Sequence, residues 1–69
     1  MSNPADIVVY GPDEQLRLVA EVKSIPNTSA AWASQLRRNL LMHGWVPNAP
    51  YFLIATPARF YLWKDGKLA

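Results

Sequence analysis

The run Tyr51-Phe52-Leu53-Ile54-Ala55 carries no charged side chain. Successive side chains of a strand point to opposite faces, so an unbroken apolar run marks a strand that is covered on both faces. A strand of this kind requires a packed structure around it. The chain has 69 residues, 51% of them hydrophobic and 17% charged. That is too apolar for a disordered tail and short enough for one small domain spanning residues 1–69.

The segments around this strand have equally plain signatures. Ile7-Val8-Val9-Tyr10 is β-branched and aromatic and reads as a strand. Gly11, Pro12 and Asp13 mark a turn over residues 11–15, and Leu16 to Lys23 forms a second strand, so the two make a hairpin. Pro26 and Asn27 break the pattern, after which Asn27, Thr28 or Ser29 caps a helix that runs to His43. Trp32, Leu36 and Leu40 form its apolar stripe, with Ala33 and His43 beside it, and Gly44 stops it. Residues 47–50 form a loop, Thr56-Pro57-Ala58 turns the chain, and Phe60-Tyr61-Leu62-Trp63 is the last strand, followed by a turn over residues 64–67. The expected fold is α+β: a mixed sheet of about four strands in the order β-β-α-β-β with one main helix. Strict alternation puts Leu16, Leu18, Ala20 and Val22 on one face of the hairpin and Val8, Tyr10 and Val19 on the other. One helix covers only one face, so the other face and the free edge call for a second copy, a homodimer or higher oligomer.

Several chemistries are excluded. There is no cysteine, hence no disulfide, thiolate metal site or cysteine nucleophile. The single histidine, His43, rules out a zinc site of clustered histidines; near a helix C-terminus it is a favourable charge–dipole placement. No apolar run approaches the roughly 18 residues of a membrane span, and no signal-peptide core follows Met1, so a soluble, cytoplasmic protein is expected. The net charge is +2 and the pI about 9.3. Positive charge gathers at Arg37-Arg38 and at Arg59, Lys64 and Lys67, which serve either as solvated faces or as contacts to a phosphate-bearing partner. Trp32, Trp45 and Trp63 could stack on nucleic-acid bases but read first as core anchors.

One segment does not fit the apolar pattern. In Leu18-Val19-Ala20-Glu21-Val22-Lys23, Glu21 and Lys23 lie two apart and share a strand face. A turn centred between Asp13 and Glu14 sets Asp6 directly opposite Glu21, with Cβ atoms about 4.5–5.5 Å apart; a one-residue slip would separate them. Two carboxylates that close repel unless something positive lies between them. A divalent metal fits, since Mg²⁺ takes one or two carboxylates and retains several waters. Lys23 would then stand beside the ion, placed to orient a water or steady negative charge developing on a phosphate. The plainer alternative makes Asp6 a strand-entry turn residue and Glu21–Lys23 an ion pair on a solvated edge.

Asp6, fourteen residues, then Glu21-Val22-Lys23 resembles the signature of the PD-(D/E)xK nucleases. Pro4-Ala5-Asp6 resembles its first half with one residue inserted between Pro and Asp. The wording D-I-V-V-Y followed by L-V-A-E-V-K is most similar to the nuclease domains at the N-terminus of type I restriction-enzyme R subunits. The resemblance covers residues 4–63 and implies a partial restriction-endonuclease-like core, matched from its second strand onward and lacking the family's first helix and strand. It implies a Mg²⁺-dependent (or Mn²⁺-dependent) endonuclease cleaving DNA, in which Asp6, Glu21 and the Val22 carbonyl hold the metal and Lys23 serves the attacking water. Gln35 falls where several branches carry a Q-x-x-x-Y motif, although the tyrosine position here is Asn39. Arg37, Arg38, Arg59 and Lys64 are then the candidate DNA contacts. The partners implied are DNA and either further copies of the chain or a larger nuclease. The alternative is a non-catalytic remnant, a structural or nucleic-acid-binding module that keeps the fold.

Overall fold

In the computed structural model, which describes residues 5–69, the elements follow the expected chain order with one addition. They are β1 (Ile7–Tyr10), β2 (Leu16–Val22), α1 (Ala30–Met42), β3 (Tyr51–Ala55), β4 (Phe60–Lys64) and β5 (Lys67–Leu68). All strands form one sheet in the order β1-β2-β3-β4-β5. Pairing of β2 with β3 is parallel and every other pairing antiparallel, because the connection from β2 to β3 passes through α1 while the others are tight turns. The result is a small mixed α+β sheet with one helix. Pro4, part of the nuclease-like first motif, lies outside the described residues.

The helix ends where its local chemistry says it should. Ser29 is the N-cap, and its Oγ accepts the Trp32 N–H at 3.1 Å, satisfying a donor that has no partner within the helix. At the other end Gly44 adopts φ +69°, the Gly44 N–H reaches the Leu41 carbonyl and the Trp45 N–H the Leu40 carbonyl, a Schellman closure. His43 is the C-cap and stacks on Trp45 at 4.8 Å between ring centroids. Both are exposed. Trp45 is therefore no core anchor: the turn at Gly44 carries it past the end of the helix, while Trp63 is buried and Trp32 packs against the core.

That core lies between α1 and one face of the sheet. Val19, Phe52 and Ile54 are fully buried, with Tyr61 and Trp63 beside them and Ala33 and Leu40 above. Burying each large side chain of this set contributes about 1.5–3 kcal/mol. Phe52 and Trp63 meet edge to face at 5.9 Å, and Thr28 ties the approach to the helix to β4 through a 2.8 Å hydrogen bond with the Tyr61 hydroxyl. The opposite face has no helix over it, so β3 alternates: Phe52 and Ile54 are buried, while Tyr51, Leu53 and Ala55 are half-buried.

Two details depart from simple alternation. In the hairpin, Val9 pairs with Leu18 but Tyr10 pairs with Leu16. Arg17 is thus an extra residue in β2, a bulge, and Leu16 packs against the core rather than lining up with Leu18. At the C-terminal end, Asp65 and Gly66 both take positive φ (51° and 83°), the requirement of a two-residue hairpin turn whose twist matches its strands. The turn folds Lys67 and Leu68 back against Lys64 and Trp63, which makes the sheet five-stranded.

Candidate active site

The hairpin register positions the candidate residues. Ile7 opposes Ala20 and Val8 opposes Val19; one step further, the same register sets Asp6 against Glu21. Two hydrogen bonds extend the ladder beyond its last strand pair. The Asp6 N–H donates to Glu21 Oε2 at 2.9 Å, and the Val22 N–H donates to Asp6 Oδ2 at 2.7 Å. Carboxylates thus stand in for the carbonyls that would continue the sheet. Lys23 Nζ lies 3.9 Å from Glu21 Oε1, as expected for residues two apart on one strand face. The Lys23 N–H reaches across to the Ala55 carbonyl at 2.9 Å, locking this end of β2 onto β3.

Burial grades across the group. The Glu21 side chain is 5% exposed and that of Lys23 35%, while Asp6 is exposed. A buried carboxylate without compensation is costly; here a backbone N–H and an ammonium share the load. Each carboxylate offers about four lone-pair directions, so the bonds already made leave both able to accept more. The Val22 N–H points towards β1, and so does the carbonyl of the same residue, because both groups of a strand residue project to one side. Among the described residues no three His, Cys, Asp or Glu side chains cluster as a metal site. The available set is two carboxylates and one carbonyl, a donor set that suits Mg²⁺ or Mn²⁺ completing its shell with water.

Asp6, Glu21, Val22 and Lys23 are therefore brought together. Gln35 is exposed on α1 and, among the described residues, makes no hydrogen bond to any of them. The basic residues divide. Arg59 shares the site's end of the sheet: its N–H donates to Thr56 Oγ1 and its carbonyl accepts from the Thr56 hydroxyl and N–H, just beyond β3. Lys64, opposite Tyr51, is at the far end. Arg38 is exposed on α1, and Arg37 is half-buried against the sheet. Buried Thr56, next to Ala55 and so close to Lys23, went unassigned in the sequence; its only signal is a threonine followed by proline at a strand end.

No protein-family model, curated protein or solved structure matches this chain. Among the described residues no helix is long and apolar enough to cross a membrane.

Proposed function

We propose that this chain is a metal-dependent phosphodiesterase acting on DNA, built on a partial restriction-endonuclease-like core. The observation that supports this reading is the convergence of Asp6, Glu21 and Lys23 at one end of the β1–β2 hairpin. Asp6, Glu21 and the Val22 carbonyl would hold Mg²⁺ or Mn²⁺. When bound, such an ion polarises a phosphodiester oxygen and lowers the pKa of a coordinated water. Lys23 is about a third exposed and beside Glu21, so its ammonium can orient the attacking water or meet the charge that develops on the phosphate. Because a charged lysine has no lone pair for a metal, its role is separable from ion binding. Arg59 lies at the same end to meet the DNA backbone.

One observation favours a second reading. Both carboxylates already accept backbone N–H groups across the hairpin, which is what a purely structural strand-end clasp would do. A non-catalytic module retaining the fold is then the alternative. Nicking of supercoiled plasmid in Mg²⁺ or Mn²⁺ separates the two. Catalysis predicts nicking that falls on the order of 10²–10³-fold in Lys23→Ala. Wild-type protein that nicks no faster than Lys23→Ala would leave the structural module standing.

A further inference from the structure

The far end of the sheet holds a charged group, Arg37, which the sequence offered only as one of several candidate DNA contacts and which lies away from the Asp6–Glu21–Lys23 group. Arg37 projects from α1 onto the sheet, its guanidinium carbon 5.7 Å from the ring centroids of both Phe52 and Trp63. Ring faces attract a cation, yet they leave the five N–H donors of the guanidinium fork unanswered. Nε is buried and has no hydrogen-bond partner among the described residues, and Arg37 belongs to neither of the described ion pairs.

Arg37 lines a cleft of about 450 Å³ together with Asn48, Ala49, Pro50, Asp65 and Gly66, with its Nη2 on the Gly66 side. A 2.7 Å hydrogen bond from the Asp65 N–H to the Pro50 carbonyl fastens the β4–β5 turn to the loop before β3, so the two walls are joined. Gly66 comes close: a Cβ added there would sit 3.8 Å from Arg37 Nη2. Asp65 lines the cleft but makes no ion pair with Arg37. A fixed, uncompensated guanidinium facing a cleft is matched by an oxyanion, which accepts two parallel N–H bonds, and the Asn48 amide can add a third donor.

We propose that the Arg37 cleft is a phosphate-binding site, separate from the Asp6–Glu21–Lys23 group. Ile54 lies opposite Glu21, and Pro50 lies four residues before it in sequence. That separation is roughly 13 Å at the rise of a strand. A phosphate here is therefore not the one attacked at the other end. Its source is either a free phosphate or the backbone of a nucleic acid, and the carboxylate of Asp65 holds the affinity down.

The test is a titration of the full chain with inorganic phosphate, followed by NMR at the Arg37 Nε–H and the Gly66 amide. A saturable shift at both is expected, weakened about tenfold in Arg37→Lys, which keeps the charge and loses the fork. Asp65→Asn should tighten binding several-fold by removing the opposing charge, a change that a merely structural Arg37 would not produce. A second titration uses a short DNA oligonucleotide with the Lys23→Ala chain. Shifts at Arg37 at lower concentrations of oligonucleotide than of phosphate identify a backbone phosphate, and shifts with inorganic phosphate alone identify a small-molecule one. No saturable shift at Arg37 or Gly66 with either probe, in wild type and in Asp65→Asn, overturns the proposal. Because the readout is binding, failure of DNA cleavage at the other end leaves the result intact.

Discussion

The two faces of the sheet are built from the same strands and nearly the same residue types, yet they end up in different surroundings. Towards α1, Val19, Phe52 and Ile54 are fully buried; on the other side Ile7, Val9, Val22 and Phe60 are exposed and Leu18, Leu53 and Leu62 half-buried. The difference is one helix. Alternation along β2 and β3 assigns residues to faces, but only a covering layer decides whether a face is core. The candidate site belongs to the covered face and sits at its margin, which is why Glu21 is buried while Asp6 and Lys23 still meet solvent. A charge network can be held firmly from below and approached from above only at such a margin.

The comparison can be broken most directly in the core. Ile54→Ala should cost about 2–5 kcal/mol, the price of a cavity under α1, while Leu53→Ala, one residue along, should cost less in the monomer, because that side chain is only partly buried and no helix lies over it. Urea melts at low protein concentration would show this, and equal losses would mean that the open face is packed as well. Next in size is Glu21→Ala. It leaves the Asp6 N–H without its acceptor and Lys23 without its partner, for a loss of about 2–3 kcal/mol; Glu21→Gln, which keeps an acceptor for Asp6, should lose less.

The open face sharpens the comparison differently. The partner expected there is a second copy of the chain. Five strands at their usual spacing and about five residues of rise give a patch of roughly 24 by 17 Å, near 400 Å² a side, which is below the usual size of specific interfaces. A weak dimer should therefore form only at tens of micromolar or above, and Phe60→Lys should abolish it without altering the melt of the monomer. A strictly monomeric mass by sedimentation at 200 micromolar would remove the second copy. The smallest effect belongs to Arg17 and Asp13, which pair at 2.6 Å with both side chains about half exposed. A double-mutant cycle should return under about 1 kcal/mol of coupling.

What could be read in advance followed range of interaction. The β1–β2 hairpin was legible because Gly11, Pro12 and Asp13 mark the turn. The meeting of Asp6 and Glu21 needs more than that turn: beside it Tyr10 opposes Leu16, and only the extra residue Arg17 moves the register to Ile7 opposite Ala20. The bulge at Arg17 was not legible, since nothing in the residue type marks it, and it reversed the placement of Leu16. β5 has only two residues and exists because β4 is already there to pair with, although Asp65-Gly66 carried the turn signal. The carboxylate clasp was hidden because it joins side chains to backbone across the hairpin. Arg37 read as a solvated helix-face cation or a DNA contact; its seat on Phe52 and Trp63 depends on how α1 crosses the sheet, which no local pattern encodes.

Everything proposed for the hairpin end depends on Asp6 and Glu21 holding a divalent ion. Titration with Mn²⁺ locates the ion directly, because the paramagnetic metal broadens the amide resonances nearest to it. Binding between the two carboxylates predicts broadening that appears first at Asp6, Glu21, Val22 and Lys23 and their strand neighbours Ile7, Ala20 and Ala55. It falls off with distance to be weakest towards Gly66 at the far end, and is lost in Asp6→Asn. Broadening spread evenly over the exposed acidic residues, or unchanged in Asp6→Asn, would contradict a metal centre at this site.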